Sequence, residues 1–83
     1  FGGRGLTLAE GLTDANRDEV ALKRKAVEAV REVNALVDAT KLGKVAFSCC
    51  AEIDKIHRVI TDHDAPADLV AALRDRGIEV IQA

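Results

Sequence analysis

HRVITDHDAPADLVAALRDRGIEVI, residues 57–81, decides the fold class. His57 to Thr61 is a short β-branched run closed by Asp62, which reads as a strand. Pro66 suits the first turn of a helix, and Ala67, Leu69, Val70, Ala72 and Leu73 give that helix one apolar stripe. Gly77 stands where a helix end calls for left-handed backbone. Ile78-Glu79-Val80-Ile81 then alternates as a strand. The spacing predicts strand 57–61, helix 66–75 and strand 78–81, a βαβ unit with a right-handed crossover between parallel strands.

The same order recurs upstream. Asn16 followed by Glu19 has the spacing of a capping box, and Val20, Ala26, Val27, Ala29 and Val30 recur at helical intervals without Pro or Gly, so a helix is expected over 17–31. Val33 to Val37 reads as a buried strand closed by Asp38. DATKLG, residues 38–43, is a strand exit with a glycine turn, and Val45 to Cys49 a further short strand. FGGRGLTLAEGLT, residues 1–13, holds four of the six glycines and is expected to be a loop without helix or strand, its backbone at positive φ or close to a ligand. The fold class expected is α/β: a Rossmann-like, mainly parallel sheet with flanking helices, without internal repeat or dividing linker.

Bulk properties narrow the function. The chain has 83 residues, 48% hydrophobic and 31% charged, the composition of a single small globular domain. A chain of this size buries only roughly 60% of its unfolded surface, so stability is expected to be marginal. No uncharged run is long enough to cross a bilayer. The net charge of −2 offers no basic footprint for nucleic acid. The chain opens on Phe1-Gly2-Gly3 and contains no methionine, which is read as a fragment of a longer protein. Cys49 and Cys50 are adjacent, a spacing unsuited to a mutual disulfide, and are expected as reduced thiols in a cytoplasmic protein.

Ligands of open α/β sheets bind beyond the carboxyl ends of strands, and three segments are predicted to stand there. Gly2-Gly3-Arg4-Gly5 offers backbone N–H groups and a guanidinium, a pairing suited to phosphate, although such a turn is often no more than a turn. Asp38, Thr40 and Lys41 follow strand 33–37 and put a cation and a hydroxyl near the same crevice; the plainer reading is a surface lysine beside a backbone-capping aspartate. Thr61-Asp62-His63-Asp64 follows strand 57–61. Glu19 and Lys23, four apart, are expected as a solvated ion pair. His57 and His63 lack further ligands at metal-binding spacing, so no metal site is read. Cys49 and Cys50 have no nearby base and read as small apolar residues.

Taken together, GGRGLTLAEGLT, EVALKRKAVEAV, DATKLGKVAF, VITD and PADLVAALRDRGIEVI resemble the C-terminal half of the sensor domain of DeoR-type bacterial transcriptional repressors over essentially the whole chain. The most specific elements are GLT at 11–13, D-x-T-K-x-G at 38–43 and Thr61-Asp62. The resemblance implies a fold similar to ribose-5-phosphate isomerase and the sugar-phosphate deaminases, and a phosphorylated sugar or related metabolite as effector. The lysine of the isomerase's D-x-S-K segment contacts substrate, and Lys41 matches it. No cofactor is implied.

Departures from the isomerase argue against catalysis. Its acidic G-A-D-E segment is replaced by Gly2-Gly3-Arg4-Gly5, and counting back from Lys41 puts Lys23 at the place of the general-base glutamate, where an ammonium cannot abstract a proton. Arg4, Lys23 and Lys41 would instead gather positive charge for a phosphate. Many repressors of this type carry an acid where Arg4 stands, a departure that bears on the effector's identity or binding pose. Residues 1–83 are thus expected to be the C-terminal half of an effector-binding domain. The helix-turn-helix domain and the first half of the sensor sheet lie outside these residues, DNA is bound only through that domain, and a homo-oligomer is expected. The alternatives are an isomerase or deaminase relative and an oligomerisation element.

Overall fold

The computed structural model describes residues 1–83. Six strands and two helices follow one another: β1 Gly5–Thr7, β2 Gly11–Asp14, α1 Arg17–Ala29, β3 Asn34–Leu36, β4 Ser48–Ala51, β5 Arg58–Thr61, α2 Ala67–Asp75 and β6 Glu79–Gln82. The class is α/β, as expected. The expectation of one mainly parallel sheet holds for half of the strands. β3, β5 and β6 form a parallel sheet, while β1, β2 and β4 form a second sheet that is antiparallel throughout.

The antiparallel sheet corrects two expectations. Residues 1–13 are not a loop: the two Gly-Leu-Thr triplets pair as a hairpin, Gly5 with Thr13, Leu6 with Leu12 and Thr7 with Gly11, and both leucines are fully buried. Gly11 supplies the positive φ of +73° at the turn. The strand expected at 45–49 begins only at Ser48. Its apolar letters Val45 and Phe47 are exposed, and the Ala46 N–H donates to Thr13 Oγ1 instead of joining a ladder.

The helices stand close to expectation. Asn16 Oδ1 accepts the Glu19 N–H at 3.0 Å and starts α1, which ends at Ala29, two residues early, where Val30 turns to extended backbone. Its inward contact is narrow, since only Val20 is fully buried, with Val27 packed partly against the core. α2 buries Val70 and Leu73 and ends as the sequence predicts, with Gly77 at φ +85° and the Ile78 N–H reaching back to the Leu73 carbonyl.

A further strand segment flanks the parallel sheet. The Leu36 N–H donates to the Phe1 carbonyl at 2.7 Å, and Gly2 bridges Leu36 in parallel. The sheet therefore runs Phe1-Gly2, β3, β5, β6, with chain order following spatial order. Right-handed crossovers that all step the same way across a sheet all fall on one of its faces. That face carries Ala35, Val59 and Val80, which share one buried cluster with Leu6, Leu12, Val70 and Leu73. No helix is long and apolar enough to cross a membrane.

Candidate functional site

Three loops meet the carboxyl ends of neighbouring parallel strands: Gly2–Gly5 after the Phe1-Gly2 segment, 38–43 after β3, and Thr61-Asp62 at the end of β5. Asp38 organises the middle one. Its Oδ1 accepts the Thr40 N–H at 2.9 Å and the Thr40 hydroxyl, and its Oδ2 lies 3.4 Å from Lys41 Nζ, closing a 3-10 turn over Ala39–Lys41. The Thr40 hydroxyl, with Lys41, holds the Asp38 carboxyl below the usual carboxylate range. Asp62 ties this turn to β5: its Oδ2 accepts the Ala39 N–H at 3.1 Å and its Oδ1 the Asp64 N–H at 3.0 Å.

The glycine loop is built around a residue that the sequence does not single out, Asp14. Its side chain is 7% exposed, Oδ1 accepts the Ala15 N–H at 2.7 Å, and Oδ2 lies 2.8 Å from Lys23 Nζ. Lys23 also donates to the Gly2 carbonyl at 2.8 Å, so its ammonium ties α1 to both the loop and the end of β2. The expected Glu19–Lys23 pair is thereby replaced. A carboxylate held inside the protein attracts the ammonium more strongly than an exposed one on the same helix face. The Lys23 hydrogen bond lowers the Asp14 pKa against the opposing effect of burial; burial opposes charge on Lys23 too, but the Asp14 bond and charge outweigh it and raise its pKa.

Arg4 is the freest of the three cations. Its side chain is 72% exposed, with Nε 3.8 Å from Asp14 Oδ1, while its backbone N–H is fixed to the Thr13 carbonyl at 2.9 Å. The two cation-bearing loops are joined through β1: the Gly43 N–H donates to the Leu6 carbonyl at 2.8 Å, and Leu42 bridges Leu6 in parallel. Gly5 permits that approach, since a Cβ there would fall 2.1 Å from the Lys44 carbonyl oxygen. Neither Arg4 nor Lys41 lines a cavity; the roomiest concavity, about 480 Å³, lies elsewhere and is bordered by Glu10, Arg24, Glu52, Asp54 and Arg76. The loops form an open ledge.

The remaining candidates have structural roles. His57 Nδ1 accepts the Val33 N–H at 3.0 Å, which occupies a ring nitrogen and pins the start of β3. No group of three His, Cys, Asp or Glu side chains is placed to hold a metal ion. Cys49 and Cys50 are unbridged, and burial pushes both thiols up, away from the thiolate that nucleophilic chemistry needs.

Residues 1–63 match the family described as the DeoR C terminal sensor domain. The chain is also 34% identical over 77 residues to the HTH-type transcriptional regulator GolR of Listeria innocua, covering 93% of this chain and 30% of that protein. It is 36% identical over 72 residues to the HTH-type transcriptional repressor GlcR of Bacillus subtilis, covering 86% and 28%. It is 29% identical over 76 residues to the putative aga operon transcriptional repressor of Escherichia coli O157:H7, covering 92% and 28%. The chain thus spans about three-tenths of the length of the relatives it matches.

Proposed function

The chain belongs to the DeoR C terminal sensor domain family, and from that premise we propose that it is the effector-binding part of a cytoplasmic transcriptional repressor of sugar metabolism, sensing a phosphorylated sugar or related metabolite. The observation that carries this reading is the ledge itself. Gly2–Gly5 with Arg4, and the Asp38–Thr40–Lys41 turn, stand at the carboxyl ends of adjacent parallel strands, where open α/β sheets receive ligands. Arg4 is exposed for bidentate contact with a phosphate, Lys41 adds a cation on the neighbouring loop, and the Thr40 oxygen, whose proton goes to Asp38, is left to accept from a sugar hydroxyl. Lys23 serves this site by holding the Gly2 carbonyl, and Asp38 by shaping the turn.

In this reading residues 1–83 are the C-terminal half of a Rossmann-like sensor similar in fold to the sugar-phosphate isomerases. The first half closes the open ledge into a pocket, a separate helix-turn-helix domain binds DNA, and the repressor acts as a homo-oligomer. Effector binding shifts the conformational equilibrium of the sensor and with it operator affinity. The names of the relatives, transcriptional regulators and repressors, support the regulatory role. The site is not an enzyme's: Lys23 stands where a general base would be needed, and the one carboxylate beside it, Asp14, is hydrogen-bonded and has its pKa lowered, the opposite of what a base working near neutrality requires.

Thermal-shift measurements on the full-length protein against sugar phosphates and their unphosphorylated counterparts test this. A ligand that binds only the folded state raises its apparent stability. One phosphorylated compound should raise the midpoint, and Arg4→Ala and Lys41→Ala should each abolish the rise. An unchanged rise in both variants would remove the site assignment.

A further inference from the structure

β6 is the outer strand of the parallel sheet, paired with β5 on one side and with no strand on the other. Successive residues of a parallel strand turn their N–H and C=O groups alternately to either side. The Glu79 and Ala83 N–H groups donate to the His57 and Thr61 carbonyls, so Glu79, Ile81 and Ala83 face β5, and Val80 and Gln82 present their main-chain groups to the free edge. Glu79–Gln82 carries no proline, lysine or bulge, the devices that keep an edge from pairing. Arg74 reaches this edge, its Nη2 donating to the Val80 carbonyl at 3.1 Å, and a carbonyl has a second lone pair to offer.

Beside the edge runs a concavity of about 430 Å³ bordered by His63, Ala65, Ala67, Ala71, Arg74 and Gln82. α2 runs antiparallel to β6. Its end lies by the start of the strand, where the Ile78 N–H meets the Leu73 carbonyl, and its start lies by Gln82, whose Nε2 donates to the Asp62 carbonyl at 3.3 Å. The groove therefore has Arg74 at one end and His63, followed by the exposed Asp64, at the other.

We infer that the free edge of β6 is the seat of a second copy of this chain, whose own β6 adds antiparallel across a two-fold axis at Ile81. In that register Val80 pairs with the partner's Gln82 and Gln82 with the partner's Val80, so every outward N–H and C=O of both edges is used. Ile81, 41% exposed, meets the partner's Ile81 on the axis. α2 is the crossover from β5 to β6 and covers their junction, so at a strand spacing of roughly 4.8 Å the two helices stand about 10 Å apart, the distance at which helices pack. Ala67 and Ala71 keep the space between them free of bulk. The axis exchanges the two ends of the groove and sets Arg74 against the partner's Asp64. That self-complementarity favours a second copy over an unrelated extended peptide, because a two-fold makes each contact twice while this edge offers a peptide the main chain of only Val80 and Gln82. The inference does not depend on the identity of the effector.

Oxidation of the full-length protein carrying Ile81→Cys tests the geometry. Residues facing across the axis stand roughly 4.5 Å apart between Cα atoms, within reach of a disulfide, whereas the two copies of position 79 stand roughly 13 Å apart. Ile81→Cys should yield a covalent dimer, and Glu79→Cys should not. Gln82→Pro removes an N–H that points outward and leaves the β5 ladder whole, so it should cut the Ile81→Cys yield at least tenfold with the thermal midpoint nearly unchanged. In sedimentation equilibrium, Arg74→Glu and Asp64→Arg should each weaken the dimer several-fold and together restore it. Absence of a covalent dimer from Ile81→Cys would overturn the proposal, as would an equal yield from Glu79→Cys or a yield that Gln82→Pro leaves unchanged.

Discussion

The Asp14 carboxylate meets the Lys23 ammonium at 2.8 Å behind the glycine loop, and through the second Lys23 bond, to the Gly2 carbonyl, the pair fixes the entry of the chain to the end of β2. Lys23→Met should therefore destabilise by about 2 kcal/mol, because it leaves the buried Asp14 carboxylate with only the exposed Arg4 guanidinium, 3.8 Å away, as counter-ion. Asp14→Asn should cost less, since the Lys23 side chain is 20% exposed and its ammonium can turn to water. Urea unfolding of the two variants and of the double variant measures the coupling; additive losses would show that the contact contributes nothing of its own.

The same pair sets a pH dependence. Asp14 is lowered by Lys23, so its contribution is fully present above the unfolded carboxylate pKa and is lost as pH falls through the lower folded value. Lys23 is raised, so its contribution is present below the unfolded lysine pKa and is lost as pH rises through the higher folded value. Stability from this pair should be flat from roughly pH 5 to 9 and fall on either side. Urea midpoints measured from pH 2 to 7 should show a shallower acid limb in Asp14→Asn than in the parent chain.

Gly5→Ala should cost about 3 kcal/mol, since the new methyl would lie 2.1 Å from the Lys44 carbonyl oxygen and backbone cannot give way as a flexible side chain does. Gly43→Ala meets only the conformational penalty of its φ of +84°, roughly 1–2 kcal/mol, with open space around the methyl. Denaturation of both variants should rank them in that order. The reverse ranking would mean that the 38–44 segment does not lie against β1.

Asp62→Ala should release the turn that carries Lys41. The lost bond to the Ala39 N–H is expected to cost about 1 kcal/mol globally. Hydrogen exchange should report a larger local change, with the Ala39 and Thr40 amides speeding up while the α2 amides stay protected.

Cys49 and Cys50 should alkylate slowly at pH 8, Cys50 the slower, because burial raises both thiols and Cys50 is the more enclosed. Denaturant should bring both to the rate of a free thiol. Fast labelling of the folded chain would contradict the packing of β4.

What the sequence discloses follows the range of the interactions. α1 is readable because its start is local, Asn16 holding an amide three residues on, and α2 because Pro66 and Gly77 bracket it. β5 and β6 are readable from apolar runs one helix apart, and β3 from the β-branched run that follows α1. The hairpin over 5–14 is not, since glycine and a three-residue strand hide it, although the repeated Gly-Leu-Thr was the available signal. Asp14 is illegible for a stronger reason. Local spacing gives Lys23 the partner Glu19, and only the burial created by two sheets and a helix makes Asp14 the better one. Lys41, Thr40 and Asp38 are brought together within one turn, so their grouping is visible in D-x-T-K; Arg4 and Lys23 share a site only through the tertiary fold.

The two sheets are interleaved along the chain: β2 belongs to one, β3 to the other, β4 to the first again and β5 to the second. A cut between β3 and β4 would therefore split both sheets at once and leave neither piece with a complete one. The two sheets also share one buried cluster, so these residues should unfold in a single transition, and ribosome-bound chains ending before Ser48, with both sheets incomplete, should remain open to protease along their length.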